Sequence, residues 1–85
     1  MLGLKFSNQS DKFLSKCDGE LFLRISKRLE NLRLNPIPSD SKFIRKEGNE
    51  KVFRVRVGGY RILYFVDYPS SKVYIEKIDK RNRVY

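Results

Sequence analysis

The spacing of apolar residues changes once along this chain, at a turn around Pro36–Pro38. Before it, Leu2, Leu4 and Phe6 alternate with Gly3 and Lys5, the period of a strand buried on one face. Ser7 is placed to cap a short helix over Asn8–Lys16 with Phe13 and Leu14 inward. Asp18 is placed to cap a longer one, in which Leu21, Phe22, Ile25, Leu29 and Leu32 recur at three- and four-residue spacing. Asn35-Pro36 ends that helix, because the residue before a proline avoids the helical region. The two make a helical hairpin.

After the turn the pattern alternates. Lys42–Arg45 reads as a short strand followed by a polar Gly48-Asn49 turn, and Lys51–Val57, Tyr60–Asp67 and Lys72–Ile78 read as three more strands. Gly58-Gly59 is a two-residue hairpin turn in which both residues are free to take positive φ. Pro69-Ser70-Ser71 forms the next turn. The predicted fold is α+β, a single domain over residues 1–85: an N-terminal strand and a helical hairpin packed on one face of a small antiparallel sheet, which the first strand joins.

The Gly-Gly turn sets a register with Val57 opposite Tyr60, Arg56 opposite Arg61 and Arg54 opposite Leu63. Phe53, Val55, Val57, Tyr60, Ile62, Tyr64 and Val66 then share the helix-covered face, which puts both tyrosines in the core. The other face gathers Arg54, Arg56 and Arg61. Beyond them lies an exposed patch of Val52, Leu63 and Phe65, with Phe65 and Tyr74 a solvent-side pair. Unbroken alternation through the second turn pairs Asp67 with Lys72, places Ile78 beside Arg61 and Glu76 beside Leu63, and brings Lys80, Arg81 and Arg83 to the cluster. Like charges directly opposite on a sheet cost up to about 1 kcal/mol. Either an anionic ligand offsets that cost, or Glu76, Glu47 or Glu50 neutralises the arginines internally.

Charge and composition narrow the chemistry. The 85 residues carry 19 Lys and Arg against 10 Asp and Glu, with no His and one Cys. Seven basic and five acidic residues precede Lys42, whereas twelve basic and five acidic residues lie from Lys42 onward. That imbalance points to a polyanion, nucleic acid first, with Lys46, Lys51, Lys80 and Arg83 as further contacts; a basic surface without a specific target is the alternative. A Cys/His zinc site, a histidine base and a Ser/His/Asp or Cys/His nucleophile are excluded. The expectation is a cytoplasmic protein with no metal or cofactor: Cys17 has no internal partner, and no apolar run is long enough for a membrane span or a signal peptide.

Arginine suits a phosphate ligand, since its planar fork donates to two oxygens and stays charged. If such a chain cuts RNA without metal or His, the route is attack by the ribose 2′-hydroxyl on the adjacent phosphate, with arginines stabilising the added charge. Arginine is a poor proton acceptor, which leaves Lys80, Tyr85 or Glu76 as nearby groups to move the proton. Tyr85 also has the ring to stack on a base.

The run F-R-V-R-V-G-G-Y-R-I-L-Y (Phe53 to Tyr64) resembles the signature hairpin of the RelE/ParE superfamily of bacterial and archaeal toxins. The closing R-N-R-V-Y (Arg81 to Tyr85) resembles its terminal Arg-x-x-apolar-Tyr element, and the order of elements matches along essentially the whole chain. The resemblance implies a toxin of a toxin–antitoxin pair that enters the ribosomal A site and cleaves mRNA there by the 2′-hydroxyl reaction. By similarity, Arg61 grips the scissile phosphate, Arg81 is the second catalytic arginine, Arg54 and Arg56 fill the two basic positions of the preceding strand, and Tyr85 stacks on a base. In some relatives those strand positions are lysines that take part in proton transfer; here both are arginine. The implied partners are the ribosome with bound mRNA and an acidic, helical, RelB-like antitoxin. The antitoxin would dock on the Val52, Leu63 and Phe65 patch or on the outer face of the helical hairpin, and would itself supply any sequence-specific DNA binding. The ParE branch inhibits DNA gyrase instead; Arg54, Arg61, Arg81 and Tyr85 together favour the RelE branch. A non-catalytic basic RNA-binding module is the third reading.

Overall fold

Residues 1–80 are described in the computed structural model; Arg81, Arg83 and Tyr85 lie outside the described residues. In chain order the elements are β1 (Gly3–Phe6), α1 (Asn8–Lys16), α2 (Gly19–Leu34), β2 (Lys42–Glu47), β3 (Glu50–Val57), β4 (Tyr60–Asp67) and β5 (Lys72–Lys80). The strands form one sheet in the order β1-β5-β4-β3-β2. β1 runs parallel to β5, and every other neighbouring pair is antiparallel. The α+β layering predicted from the pattern is the one observed.

Each helix starts near its predicted cap. The Ser7 hydroxyl accepts from the Ser10 amide at the start of α1, whereas Asp18 occupies the cap position of α2 without a side-chain capping bond. Along α2 the buried stripe is Ile25, Leu29 and Leu32, with Leu21 packed against it. Phe22, expected on that stripe, is instead 39% exposed. At about 100° per residue, Phe22 and Leu21 flank the stripe on opposite sides by similar angles, and it is Leu21 that lies on the side of Phe13, Cys17 and Tyr60. Beneath α2, Val55, Ile62, Tyr64, Val73, Ile75 and Ile78 are fully buried, and the Tyr64 hydroxyl donates to the Pro36 carbonyl at 2.7 Å. That bond ties the turn after α2 to the sheet centre.

The β3–β4 register is the predicted one, and so is the Asp67–Lys72 pair. Between these points the alternation breaks. Tyr64 pairs with Ile75 but Leu63 pairs with Lys77, so a bulge leaves Glu76 as the extra residue of β5. The cause is packing: Ile75 and Ile78 stand three residues apart and both lie in the core. Unbroken alternation would turn Ile78 to solvent and forfeit roughly 1.5–3 kcal/mol of burial. Ile78 therefore faces Ile62, and the residue opposite Arg61 is Asp79 rather than Ile78. Gly58 alone of the Gly-Gly pair has positive φ (+57°), the pattern of a type II′ turn rather than the two positive angles expected.

β1 stops at Phe6 while β5 runs on to Lys80, which would leave the end of β5 without a neighbour on the β1 side. The start of α1 fills the gap. Ser7 donates its amide to the Ile75 carbonyl (3.0 Å) and its hydroxyl to the Glu76 carbonyl (2.6 Å), and the Ser10 hydroxyl also reaches Ile75. The Gln9 carboxamide donates to the Ile78 carbonyl (2.7 Å) and accepts from its amide (3.0 Å), as a neighbouring strand would. The far face corrects another expectation. Val52 and Leu63 are only 1% and 7% exposed, so of the predicted apolar docking patch only half-buried Phe65 stays partly open. Their register neighbours are Arg45, Arg54 and Lys77, whose hydrocarbon stems can lie along them while the charges reach water.

Two predictions follow from these contacts. Burial pushes the Tyr64 phenol up to about 12. Its stabilising contribution is complete below pH 10 and is lost as pH rises through 12, a change of roughly 2–3 kcal/mol. Tyr64→Phe should cost about 1 kcal/mol at neutral pH for the lost hydrogen bond, and flatten the stability curve between pH 10 and 12 in denaturant titrations. Gln9→Ala should speed amide exchange at Ile78 by about tenfold or more while leaving Ile62 protected, since one unmade buried bond costs 1–3 kcal/mol. Unchanged exchange at Ile78 would show that Gln9 does not hold the strand end.

Candidate nucleic-acid interface

The face of the sheet turned away from the helices is built by parity. Phe53, Val55 and Val57 point to the core, so Arg54 and Arg56 must point the other way, and Arg61 joins them from β4. Arg56 and Arg61 stand directly opposite each other, and Arg54 lies between Lys42 on β2 and Leu63 on β4. Three of the predicted catalytic residues are thus brought together. Arg81 and Tyr85, and the predicted contact Arg83, are outside the described residues.

The predicted lysine contacts fall elsewhere. Lys51 is three residues from Arg54 on β3 and so projects from the other side of the sheet, and Lys46, its register partner on β2, goes with it. There Lys51 lines a cleft with Phe53 and Val66. Lys80 is paired with Tyr60 and shares its parity, also away from the arginines.

The bulge decides which carboxylate meets which arginine. Asp79 takes the Arg61 guanidinium in two bonds, Nε to Oδ1 at 2.7 Å and Nη2 to Oδ2 at 3.3 Å, with Lys77 Nζ 3.7 Å from the same carboxylate. Of the predicted neutralisers, Glu47 and Glu76 both bind Arg45, and their hydrogen bonds, Glu47's foremost, hold its pKa above the ordinary value, while Glu50 pairs with Glu47 in register. Glu76 is therefore engaged by Arg45 rather than standing beside Leu63. Asp79 was the residue missed, although the Ile75–Ile78 spacing carries the signal of the slip that places it.

The Arg61–Asp79 pair is partly open, with 37% of the Arg61 side chain in solvent. Such a pair is worth up to about 1 kcal/mol, so it orients Arg61 without removing it from the reach of a stronger anion. Beside it, Phe65 and Tyr74 stack with ring centres 4.9 Å apart, the solvent-side pair expected. The Arg54 Nε is buried without a hydrogen-bond partner among the described residues. A second group of cations went unremarked in the sequence: Arg24, Lys27 and Arg28 on α2, which border a groove with Arg56. Among the described residues no three His, Cys, Asp or Glu side chains converge as metal ligands would, and no helix is long and apolar enough to cross a membrane.

Comparison with known proteins places this geometry in a family. A Methanocaldococcus jannaschii protein named as toxin RelE1 is 36% identical over 58 residues, which are 67% of this chain and 64%, just under two thirds, of that protein's length. The fold matches a chain of the archaeal RelE–RelB complex of Pyrococcus horikoshii OT3 with a TM-score of 0.83, at 24% identity and 98% coverage of both chains. It also matches a chain of the RelBE2 toxin–antitoxin complex of Mycobacterium tuberculosis with a TM-score of 0.75, at 25% identity, covering 94% of this chain and 91% of that one. The model of the ParE toxin of type II toxin–antitoxin systems (parDE) matches residues 4–85. With a hairpin, a sheet order and a full-length family match in agreement, the chain belongs to the ParE toxin family of type II toxin–antitoxin systems, within the RelE/ParE superfamily.

Proposed function

We propose that this toxin is a ribosome-dependent endoribonuclease that cuts mRNA in the A site without a metal or other cofactor. The observation that carries the reading is the direct opposition of Arg56 and Arg61, with Arg54 beside them, on the sheet face that the helices leave open. Like charges in that register are retained at a cost in stability, and a phosphate bound between them reverses the sign of the interaction. In the reaction, the 2′-oxygen of one ribose attacks the adjacent phosphorus and the 5′-oxygen of the next nucleotide leaves. The products are a 2′,3′-cyclic phosphate and a 5′-hydroxyl. Arg61 donates to the phosphate oxygens as charge builds on them, Arg54 and Arg56 add positive potential, and Asp79 fixes the guanidinium plane. Arg81 as second arginine and Tyr85 as base-stacking ring follow from the resemblance of R-N-R-V-Y. Arginine does not take up the 2′-proton at neutral pH, so RNA held by the ribosome supplies part of the alignment and proton transfer.

The partner in this reading is a RelB-like antitoxin, acidic and helical, which also supplies any DNA reading; the RelE–RelB and RelBE2 complexes among the fold's neighbours support it. With the Val52 and Leu63 patch closed, the outer face of the helical hairpin is the docking surface, where Leu23 is 67% and Leu34 69% exposed. The site of action is the cytoplasm. A second reading, gyrase inhibition without nuclease activity, is favoured by the ParE description of the family model.

Two substitutions separate these readings. Arg61→Ala should relieve growth arrest in cells induced to make the toxin, with a melting temperature within a few degrees of the parent. Persistent arrest, with altered plasmid supercoiling and intact mRNA, would favour the gyrase reading. Asp79→Asn should tighten binding of single-stranded RNA about two- to fivefold, because a pair worth up to about 1 kcal/mol no longer competes for Arg61. Unchanged affinity would show that the carboxylate does not compete with phosphate.

A further inference from the structure

We propose that the RNA surface turns round the edge of β3 on to α2, where Arg24, Lys27 and Arg28 hold phosphates of the strand that flanks the cut. This rests on the RNA reading above and extends it beyond the sheet face. β2 accompanies β3 only as far as the Lys42–Arg54 pair, so Arg56 and Val57 have no strand beside them on that side. α2 closes on this gap and leaves a groove of about 270 Å³ bordered by Arg24, Lys27, Arg28, Arg56 and Gly58, with no carboxylate in its lining. A side chain at position 58 would meet the Arg24 guanidinium, since a Cβ there stands 3.4 Å from both terminal nitrogens. The bare turn lets Arg24 reach the tip of the hairpin.

The Arg24 and Lys27 charges in this groove are not explained by the fold. Arg24 lies three residues before Lys27 and four before Arg28, spacings at which like charges on a helix repel by a few tenths of a kcal/mol per pair. Among the described residues neither Arg24 nor Lys27 forms an ion pair, while Arg28 binds Asp40 at 2.5 Å and holds that carboxyl below its ordinary pKa. Arg56 belongs to both surfaces: it faces Arg61 on the sheet and borders the groove at the edge, so the positive track is continuous. Val57 is the one apolar side chain in the lining. An amphipathic acidic helix docks through apolar anchors as well as charge, whereas an RNA backbone needs only the cations. The chemistry of the groove fits phosphate.

The test is the salt dependence of binding to a labelled single-stranded oligoribonucleotide, measured by fluorescence anisotropy on the full chain, with melting curves to confirm folding. Arg24→Gln with Lys27→Gln should lower the log–log slope by about 1.4, two phosphates at about 0.7 each for a single strand, and Arg24→Lys alone should retain it. An unchanged slope and affinity in the double variant would overturn the proposal. So would unchanged RNA binding with lost binding to a polyglutamate peptide, which would assign the groove to an acidic protein. Arg61→Gln, measured in parallel, separates this surface from the nuclease reading. If it weakens RNA binding while the double variant does not, the groove proposal fails while RNA binding at the sheet face stands. If the double variant lowers the slope while wild-type toxin leaves ribosome-held mRNA uncut, the groove stands and the nuclease reading fails.

Discussion

Ile75 and Ile78 are three residues apart on one strand, and both lie fully buried under the helices. A regular strand cannot do that, because side chains three apart point to opposite faces. The bulge at Glu76 resolves the conflict, and much of the open face follows from it. It moves Asp79 opposite Arg61, hands Glu76 to Arg45, and puts Lys77 beside Leu63. One packing demand in the core thereby sets which carboxylate touches which arginine on the other side of the sheet. Past Phe6 the bulged strand end has no strand on its β1 side, and Ser7, Gln9 and Ser10 from the start of α1 supply its hydrogen bonds there. Core, helix start and charge pattern depend on one another through this strand.

The open face is basic but not simply so. Arg45 is held between two carboxylates and Arg61 is shared with Asp79, while Arg56 stands opposite Arg61. Part-exposed pairs of this strength are easily outcompeted by a phosphate, whose oxygens can meet several guanidinium groups at once. Asp79 thus has two effects on Arg61: it fixes the plane of the fork, and it reduces attraction for ligands that bring only weak charge. Arg54 and Arg56 offer geometry and charge without a proton acceptor. In the proposed reaction, this site would contribute electrostatic stabilisation, with alignment supplied by the bound RNA.

The legible and illegible parts of this fold differ in range. Local signals were direct: Ser7 as a cap, Pro36 as a stop, and Gly58-Gly59 as a two-residue turn that fixes Val57 against Tyr60. From that turn the opposition of Arg56 and Arg61 followed by counting. The register of β5 did not, because counting assumes unbroken alternation and the bulge answers to burial at a distance. The Val73, Ile75, Ile78 spacing held the clue. Val52 and Leu63 misled for a related reason: being on the outer face does not expose an apolar side chain when long basic neighbours flank it. Lys46 and Lys51 had the right charge but the wrong parity, and the groove between α2 and the β3 edge needs tertiary structure to exist at all.

The central claim is that the arginine face acts on a phosphate of mRNA held by the ribosome. Primer extension on a defined mRNA in a purified ribosome, with and without the toxin, tests it most directly. A new 5′ end within the A-site codon, absent with Arg61→Ala, is the result this account predicts. Intact mRNA in the presence of folded toxin would contradict it.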